Sequence, residues 1–381
     1  MKHINIKKLQ IEITSYCNLD CDYCIKNSQA KTTQTHLTLE SFEEILQKYT
    51  AQEFVLYGFG EPLLHPQIEN LIELARTKGK VFLLTNGTII PKLKEIASRV
   101  DSLGVSVDSL QKSNLRKLQF QEILEVVDKL TEIVPISLST VLSTENIDNF
   151  LTLVTWAGER HINISATNLV PYNQNMARKA LFLELSKKAI NVCQRFLKNL
   201  NDAEELLKGI TSLSTKAQKS YQEILDNLEG YHLNLEALVK GWPKIEQAQK
   251  AEKILEEARE KAFKFNINID LPRMFADEKR RTCPFHEAIF IRSDGRVAPC
   301  AELAYTHPLF VNFRQKEVQE YLSFSDEFAL KKKDIVKNYP WCGDCQLVDG
   351  CWFLEESMDC YGNYPSCSEC LYSAGLARCI L

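Results

Sequence analysis

The sequence predicts an α/β fold built on parallel strands, and three observations carry that prediction. Six short runs rich in Val, Ile and Leu alternate with stretches whose apolar residues recur at three- and four-residue intervals. Regular alternation of this kind calls for parallel strands joined by right-handed helical crossovers. The residues of unusual chemistry, namely a cysteine cluster, a glycine turn, Thr-Asn-Gly and a lone Asp, each directly follow one of the runs. Parallel sheets carry their sites at the carboxyl ends of the strands, so these clusters share one rim. Spacing alone suits either a curled barrel or an open doubly wound sheet.

Taken in order, Ile11 and Ile13 alternate with polar neighbours and form a strand that delivers the chain into Cys17-Asn-Leu-Asp-Cys21-Asp-Tyr-Cys24. Thr38 is an N-cap for a helix with Phe42, Ile45, Leu46 and Tyr49 on one face. A buried strand over Phe54 to Tyr57 meets Gly58-Phe59-Gly60-Glu61-Pro62. A helix opened by Pro66 follows, with Ile68, Leu71, Ile72 and Ala75 inward and Gly79 as its stop. Strand three, Val81 to Leu84, ends in Thr85-Asn86-Gly87. A helix on Leu93, Ile96, Ala97 and Val100 leads to strand four, Leu103 to Val107, which ends in Asp108. The next helix carries Ile123, Leu124 and Val127. Strand five, Ile136 to Val141, a helix on Ile147, Phe150, Leu151 and Val154, and strand six near Ile162 to Ala166 complete the alternation, closing with Asn168 to Tyr172.

From about Met176 to Phe265 the composition shifts to Lys, Glu, Leu and Ala with helical periodicity, which predicts an inserted set of helices. Pro243 fits the first turn of the last one, and alternating Ile267 and Ile269 predict a return strand. Cys193 lies on an apolar helix face, where a free Cys packs as a small hydrophobe. Residues 288–300 form a hairpin with Asp294-Gly295 at the turn, which brings Cys300 back toward Cys283.

Charge is nearly balanced, 46 Lys and Arg against 50 Asp and Glu, so no bulk field points to nucleic acid. No 18-residue apolar span follows the start of the chain, which predicts a cytoplasmic protein with no membrane partner. Thirteen Cys in a reducing compartment favour metal or cluster ligation over disulfides.

Three thiols at offsets of four and three can wrap one inorganic core. An iron–sulfur cube takes a thiolate on each of its irons, so three leave one iron open; a zinc knuckle is the alternative. The spacing Cys17-x3-Cys21-x2-Cys24 resembles the signature of the radical S-adenosylmethionine (radical SAM) enzymes. That resemblance implies a partial (β/α)6 barrel over residues 1–175 and a C-terminal domain over 273–381, and the helical insertion with its return strand, read from composition and periodicity, fills 176–272 between them. It implies that Cys17, Cys21 and Cys24 hold a catalytic [4Fe–4S] cluster whose open iron chelates SAM. Gly58-Phe59-Gly60-Glu61-Pro62 resembles the family's glycine-glycine-glutamate-proline motif, with Phe59 where the first glycine usually stands; Gly58, Gly60, Glu61 and Pro62 then face the methionine amino group. By the same resemblance Tyr23 faces the adenine, and Thr85, Asn86, Ser106 and Asp108 line the rim near the ribose and carboxylate of SAM. The bland reading of these polar residues is turn formation and strand capping.

Cys283, Cys300, Cys342, Cys345 and Cys351 have spacings that resemble the SPASM extension, which implies two auxiliary [4Fe–4S] clusters. By analogy Cys342, Cys345 and Cys351 share one with a late Cys, and Cys283, Cys300 and Cys360 share the other. The sequence departs from the commonest spacing after Cys351, and Cys360, Cys367, Cys370 and Cys379 follow. Nine thiols exceed the eight that two cubes need, so at least one is spare, resolving or structural. The Cys342/Cys345 and Cys367/Cys370 pairs also suit zinc. The closing stretch DCYGNYPSCSECLYSAGLARC and NLVPYNQNM resemble a subgroup associated with maturation of tungsten-dependent oxidoreductases. The expectation is an enzyme that draws electrons from a ferredoxin or flavodoxin and acts on a metalloenzyme or its tungsten-pterin cofactor. The alternatives are modification of a peptide or protein side chain, and a non-catalytic iron–sulfur carrier.

Overall fold

The structure, a computed structural model, describes residues 4–27, 34–171, 174–228, 233–276, 288–298, 301–306, 371 and 375–378. Its centre is a nine-stranded sheet. Six of the strands are the expected core: β1 (Ile4–Ile11), β2 (Tyr49–Leu56), β3 (Lys80–Thr85), β4 (Ser102–Ser106), β7 (Ile136–Leu142) and β8 (Asn163–Asn168). Between β4 and β7 lies a two-stranded hairpin, β5 (Lys112–Ser113) and β6 (Leu118–Gln119), which the sequence analysis did not anticipate. The core strands pair in parallel and in chain order, β1-β2-β3-β4-β7-β8. A doubly wound sheet reverses its order about a central strand, and this one does not. Right-handed crossovers that step always in one direction place every helix on the same face, which curls the sheet into a partial barrel.

The covering helices are α1 (Leu39–Lys48), α2 (Ile68–Arg76), α3 (Ile90–Ala97), α4 (Gln121–Leu130) and α5 (Phe150–Gly158). Their inward faces are those the periodicity predicts, with Phe42, Ile45 and Leu46 on α1 and Ile68, Leu71, Ile72 and Ala75 on α2 all buried. The Thr38 side chain caps α1 by accepting from the Ser41 N–H at 3.1 Å. Tyr49 leaves the helix face assigned to it and opens β2 instead, because α1 ends at Lys48 and the chain turns extended there.

The insertion is helical, as predicted: α6 (Gln174–Lys179), α7 (Lys187–Phe196), α8 (Leu200–Thr211), α9 (Thr215–Asp226), α10 (Leu235–Gly241) and α11 (Ile245–Phe265). Four of these start on a side-chain cap, Ser186, Asn199, Ser214 and Asn234, each accepting from the N–H three residues on. Pro243 sits in a 3-10 turn, Trp242–Lys244, just ahead of α11 rather than inside its first turn. Small residues, Ala248, Ala251, Ala258 and Ala262, line the buried stripe of α11, which packs on α5. Cys193 is fully buried in the core, and burial pushes its thiol up to about 12.

The return strand β9 (Ile269–Asp270) pairs with β8, while β10 (Ala288–Ile291) pairs with β1 and leads through a turn at Gly295 (φ +81°) to β11 (Val297–Ala298). A short helix, α12 (Ala301–Thr306), follows. The hairpin predicted for the C-terminal region therefore extends the barrel's own sheet beyond β1. No helix among the described residues is long and apolar enough to cross a membrane.

Candidate functional site: the cysteine rim

The chain leaves β1 at Ile11 and reaches Cys17 through Ser15 and Tyr16, which are tied to neighbouring segments. Ser15 N–H donates to Thr35 O at 3.0 Å, and Glu61 N–H donates to Tyr16 O at 2.7 Å. Lys26, just past Cys24, donates to Ser15 O at 2.6 Å and pulls the loop back on itself. Within the loop Leu19 N–H lies 3.5 Å from Cys17 Sγ, and Cys24 N–H donates to Cys21 O at 3.0 Å.

Burial raises all three thiols, with Cys21 pushed up to about 11, and the neighbouring Cys residues add to the rise at Cys21 and Cys24. Burial and the neighbouring Cys residues keep Cys21 and Cys24 protonated against the nearby positive charges of Lys26 and Arg116, and a bound metal would invert that balance by deprotonating them. Among the described residues, no group of three His, Cys, Asp or Glu side chains is gathered tightly enough to hold a single ion. A cube asks for less convergence, since it takes each thiolate on a different iron. The donor set fits such a cluster.

Glu61 is the hub beside Cys17. Its carboxylate is 2% exposed and accepts from Leu63 N–H (3.0 Å), Thr85 Oγ1 (2.6 Å) and Asn86 N–H (2.7 Å). Burial pushes it above the usual carboxylate range, against these hydrogen bonds. Asn86 then reaches toward the loop: its Nδ2 donates to Asn18 Oδ1 at 3.0 Å and lies 4.0 Å from Cys17 Sγ. Glu61, Thr85 and Asn86 are thus brought together beside Cys17, with the Glu61 side chain bonded inward to its own chain. Pro62 starts the 3-10 turn Pro62–Leu64. Gly60 and Gly58 serve close approach: a Cβ on Gly60 would lie 2.0 Å from Thr14 O, and one on Gly58 would lie 2.3 Å from Glu12 Cγ.

The second group faces Cys21 and Cys24. Asp108 is 3% exposed and accepts from Arg116 Nε (2.6 Å), Arg116 Nη2 (3.2 Å) and Val141 N–H (3.0 Å). Burial opposes the Arg116 charge, but Asp108, Tyr23 and Cys21 together outweigh it and hold the guanidinium above its usual value. Arg116 lies 5.3 Å from the Tyr23 ring centre and favours ionisation of Cys21 and Cys24. The Tyr23 hydroxyl is buried without a hydrogen-bond partner among the described residues, and burial raises its pKa, so it remains an O–H. Ser106 ends β4 on the same rim, half-buried and in register with Ser139.

Two residues that sequence reasoning passed over prove central. Arg116 sits in the β5–β6 hairpin, whose two-residue strands leave no periodic signal. Glu12, one residue past β1, reads as the polar neighbour of Ile11 and Ile13, yet it is 1% exposed, because Phe59, Ser293 and Tyr305 close over its carboxylate. Its Oε1 accepts from Phe59 N–H at 2.9 Å; its Oε2 accepts from Ser293 N–H (3.3 Å), Ser293 Oγ (3.1 Å) and Tyr305 O–H (2.5 Å). Cys283, Cys300, Cys342, Cys345, Cys351, Cys360, Cys367, Cys370 and Cys379, with Tyr172, lie outside the described residues.

Comparison with known proteins gives this rim a context. The profile of the Radical SAM superfamily matches residues 11–157. The chain is 25% identical to the tungsten-containing aldehyde ferredoxin oxidoreductase cofactor-modifying protein of Pyrococcus furiosus, over 98% of this chain and 97% of the other. It is 27% identical to the GTP 3',8-cyclase of Chlorobaculum tepidum over 55% of this chain and 65% of that protein. Among solved structures, Streptococcus suis SuiB bound to S-adenosylmethionine aligns with a TM-score of 0.48 at 13% identity, covering 80% of this chain and 66% of that one.

Proposed function

We propose that this chain, a radical SAM enzyme whose domain of that family covers residues 11–157, acts in maturation of a metalloenzyme or its tungsten-pterin cofactor. The observation that supports this substrate class is the end-to-end similarity to the Pyrococcus furiosus cofactor-modifying protein, which spans the helical insertion and the Cys-rich end. The similarity to the cyclase covers little more than half of the chain.

In this reading Cys17, Cys21 and Cys24 hold the [4Fe–4S] cluster, and Gly58, Gly60, Glu61, Pro62, Thr85, Asn86, Ser106, Asp108 and Tyr23 surround SAM. Bound there, cluster and SAM supply one-electron cleavage of the sulfonium to a 5′-deoxyadenosyl radical that abstracts hydrogen from substrate. The chain's own part is positional. Glu61 locks Thr85 and the Asn86 backbone, which aims the Asn86 amide at the Cys17 side of the loop. Arg116 places a buried positive charge by Cys21 and Cys24, which favours their thiolate forms. The three-part division at 175 and 272, and two auxiliary clusters on the C-terminal cysteines that relay electrons from a ferredoxin or flavodoxin, belong to the same proposal.

The test is anaerobic reconstitution of the full chain. We expect about twelve irons per chain, a loss of about four on replacing Cys17, Cys21 and Cys24 together by Ala, and 5′-deoxyadenosine from dithionite-reduced wild type but none from the triple variant. Formation of 5′-deoxyadenosine should rise with added tungsten-pterin cofactor and stay flat with a peptide. Zinc in place of eight of the irons would refute the auxiliary clusters. Silence of a SAM-binding wild type would favour a carrier.

A further inference from the structure

Phe59 is the residue by which this chain departs from the glycine pattern, and the structure gives its ring a partner. The ring meets Tyr305 edge-on, with centroids 5.0 Å apart. Tyr305 belongs to α12, and its ring is held on another side by the Arg292 guanidinium at 4.4 Å. Arg292 in turn donates to Ala304 O at 3.1 Å and pairs with Asp294 at 3.0 Å, so the tyrosine is braced by its own neighbourhood. Its hydroxyl donates to Glu12 Oε2, the oxygen that Ser293 also uses. The other oxygen of Glu12 takes the Phe59 N–H.

The contact leaves little slack. The Glu12 side chain fills the space where a Gly58 Cβ would stand, so a displacement of Glu12 displaces the Gly58–Phe59 backbone. The far half of the turn is fixed elsewhere, by Glu61 N–H to Tyr16 O and by Gly60 against Thr14. One end of the turn therefore answers to the cysteine loop and the other to residues 293 and 305.

We infer that Tyr305 and Ser293 are positioning residues for the Gly58–Pro62 turn, acting through Glu12 and Phe59, so that affinity for SAM is set in part by the chain segments on either side of Cys300. The inference rests on the proposed assignment of that turn to SAM. Tyr305→Phe removes one donor from a buried carboxylate and keeps the ring. Ser293→Ala removes another and leaves the aromatic contact untouched.

The experiment uses the full chain, with two readouts. Equilibrium binding of SAM to the anaerobically reconstituted protein should weaken about five- to twentyfold in Tyr305→Phe, with iron content, cluster absorption and melting temperature held. Hydrogen exchange at the Phe59 amide, measured on metal-free protein, should quicken in the same variant. Phe59→Gly should weaken SAM by itself, and the double variant should lose less than the product of the two. If Tyr305→Phe melts early, Ser293→Ala carries the same expectation with a smaller change. Unaltered SAM affinity in both variants, alongside loss of SAM in Gly60→Ala, overturns the coupling and leaves the turn's assignment standing. Undiminished SAM binding by Gly60→Ala overturns the assignment and the coupling with it.

Discussion

At the β1 edge of the barrel sheet, the C-terminal stretch docks as a parallel strand and completes the shell of a buried carboxylate that takes four donors from residues 59, 293 and 305. At the β8 edge it is held differently. Asn168 Nδ2 donates to Arg273 O (2.9 Å) and Leu376 O (2.8 Å), while its Oδ1 is buried without a partner among the described residues. Outside that amide, the Arg378 backbone N–H donates to Thr167 Oγ1 and its guanidinium pairs with Asp270, with 40% of the Arg378 side chain in water. The first seam is closed and charge-assisted; the second is neutral within and solvated without. A buried, fully occupied acceptor admits one geometry, whereas an amide with a spare oxygen and an exposed ion pair tolerate several. The difference assigns registration of the C-terminal segment to β1 and leaves β8 as the adjustable side.

That contrast can be broken by removing its strongest element. Glu12→Ala strands four donors in the interior and should cost about 3 kcal/mol in denaturant unfolding. A cost near zero would mean that water replaces the carboxylate and that the two seams are alike. Asn168→Ala should cost less, about 2 kcal/mol, because only two carbonyls lose a donor.

Acidification should sharpen the comparison on the β1 side, where His65 is 3% exposed, donates from Nε2 to Leu37 O at 2.8 Å and accepts the Gln67 N–H at Nδ1. Burial holds His65 below its usual 6.5, and His36, stacked on Tyr16 next to Cys17, is lowered by the same cause. Below that usual value the unfolded chain binds protons that the folded chain refuses, so stability falls as pH drops through 6.5 toward the depressed folded values. The slope for each group is at most about 1.4 kcal/mol per pH unit. Melting temperatures at pH 7.5 and 5.5 should therefore differ more for wild type than for His65→Gln. The smallest effect belongs to the outer ion pair: Arg378→Ala should cost about 0.5 kcal/mol and become neutral in high salt.

The six strands and their helices were legible because β2, β3 and β4 carry short contiguous apolar runs, while β1, β7 and β8 alternate apolar with polar residues. The order of those strands was not, since spacing carries no information about which neighbour a strand chooses; the register of Lys8 with both Glu53 and Ala288 is a tertiary fact. The rim residues were legible as turn chemistry, with Glu61, Thr85 and Asn86 falling on one cluster. Their division of labour was not: Glu61 spends its carboxylate on the chain itself, and the guanidinium beside Asp108 comes from a hairpin too short to announce itself. Glu12 escaped because alternation in a strand normally points polar residues outward, and here the outward face is closed by residues almost three hundred positions away.

The pairing of β1 with β10 also sets a timetable. Lys8 waits for Ala288, and at about 5–20 residues per second synthesis of the intervening chain takes roughly 15 to 55 s. Throughout that interval one edge of β1 has no partner, and a neighbouring nascent chain could claim it. The Lys7-Lys8 pair in the middle of β1 makes such a claim unfavourable, since two copies would bring like charges together. The strand that carries the cysteine loop is thus guarded by charge until Ala288–Ile291 arrive to cover it.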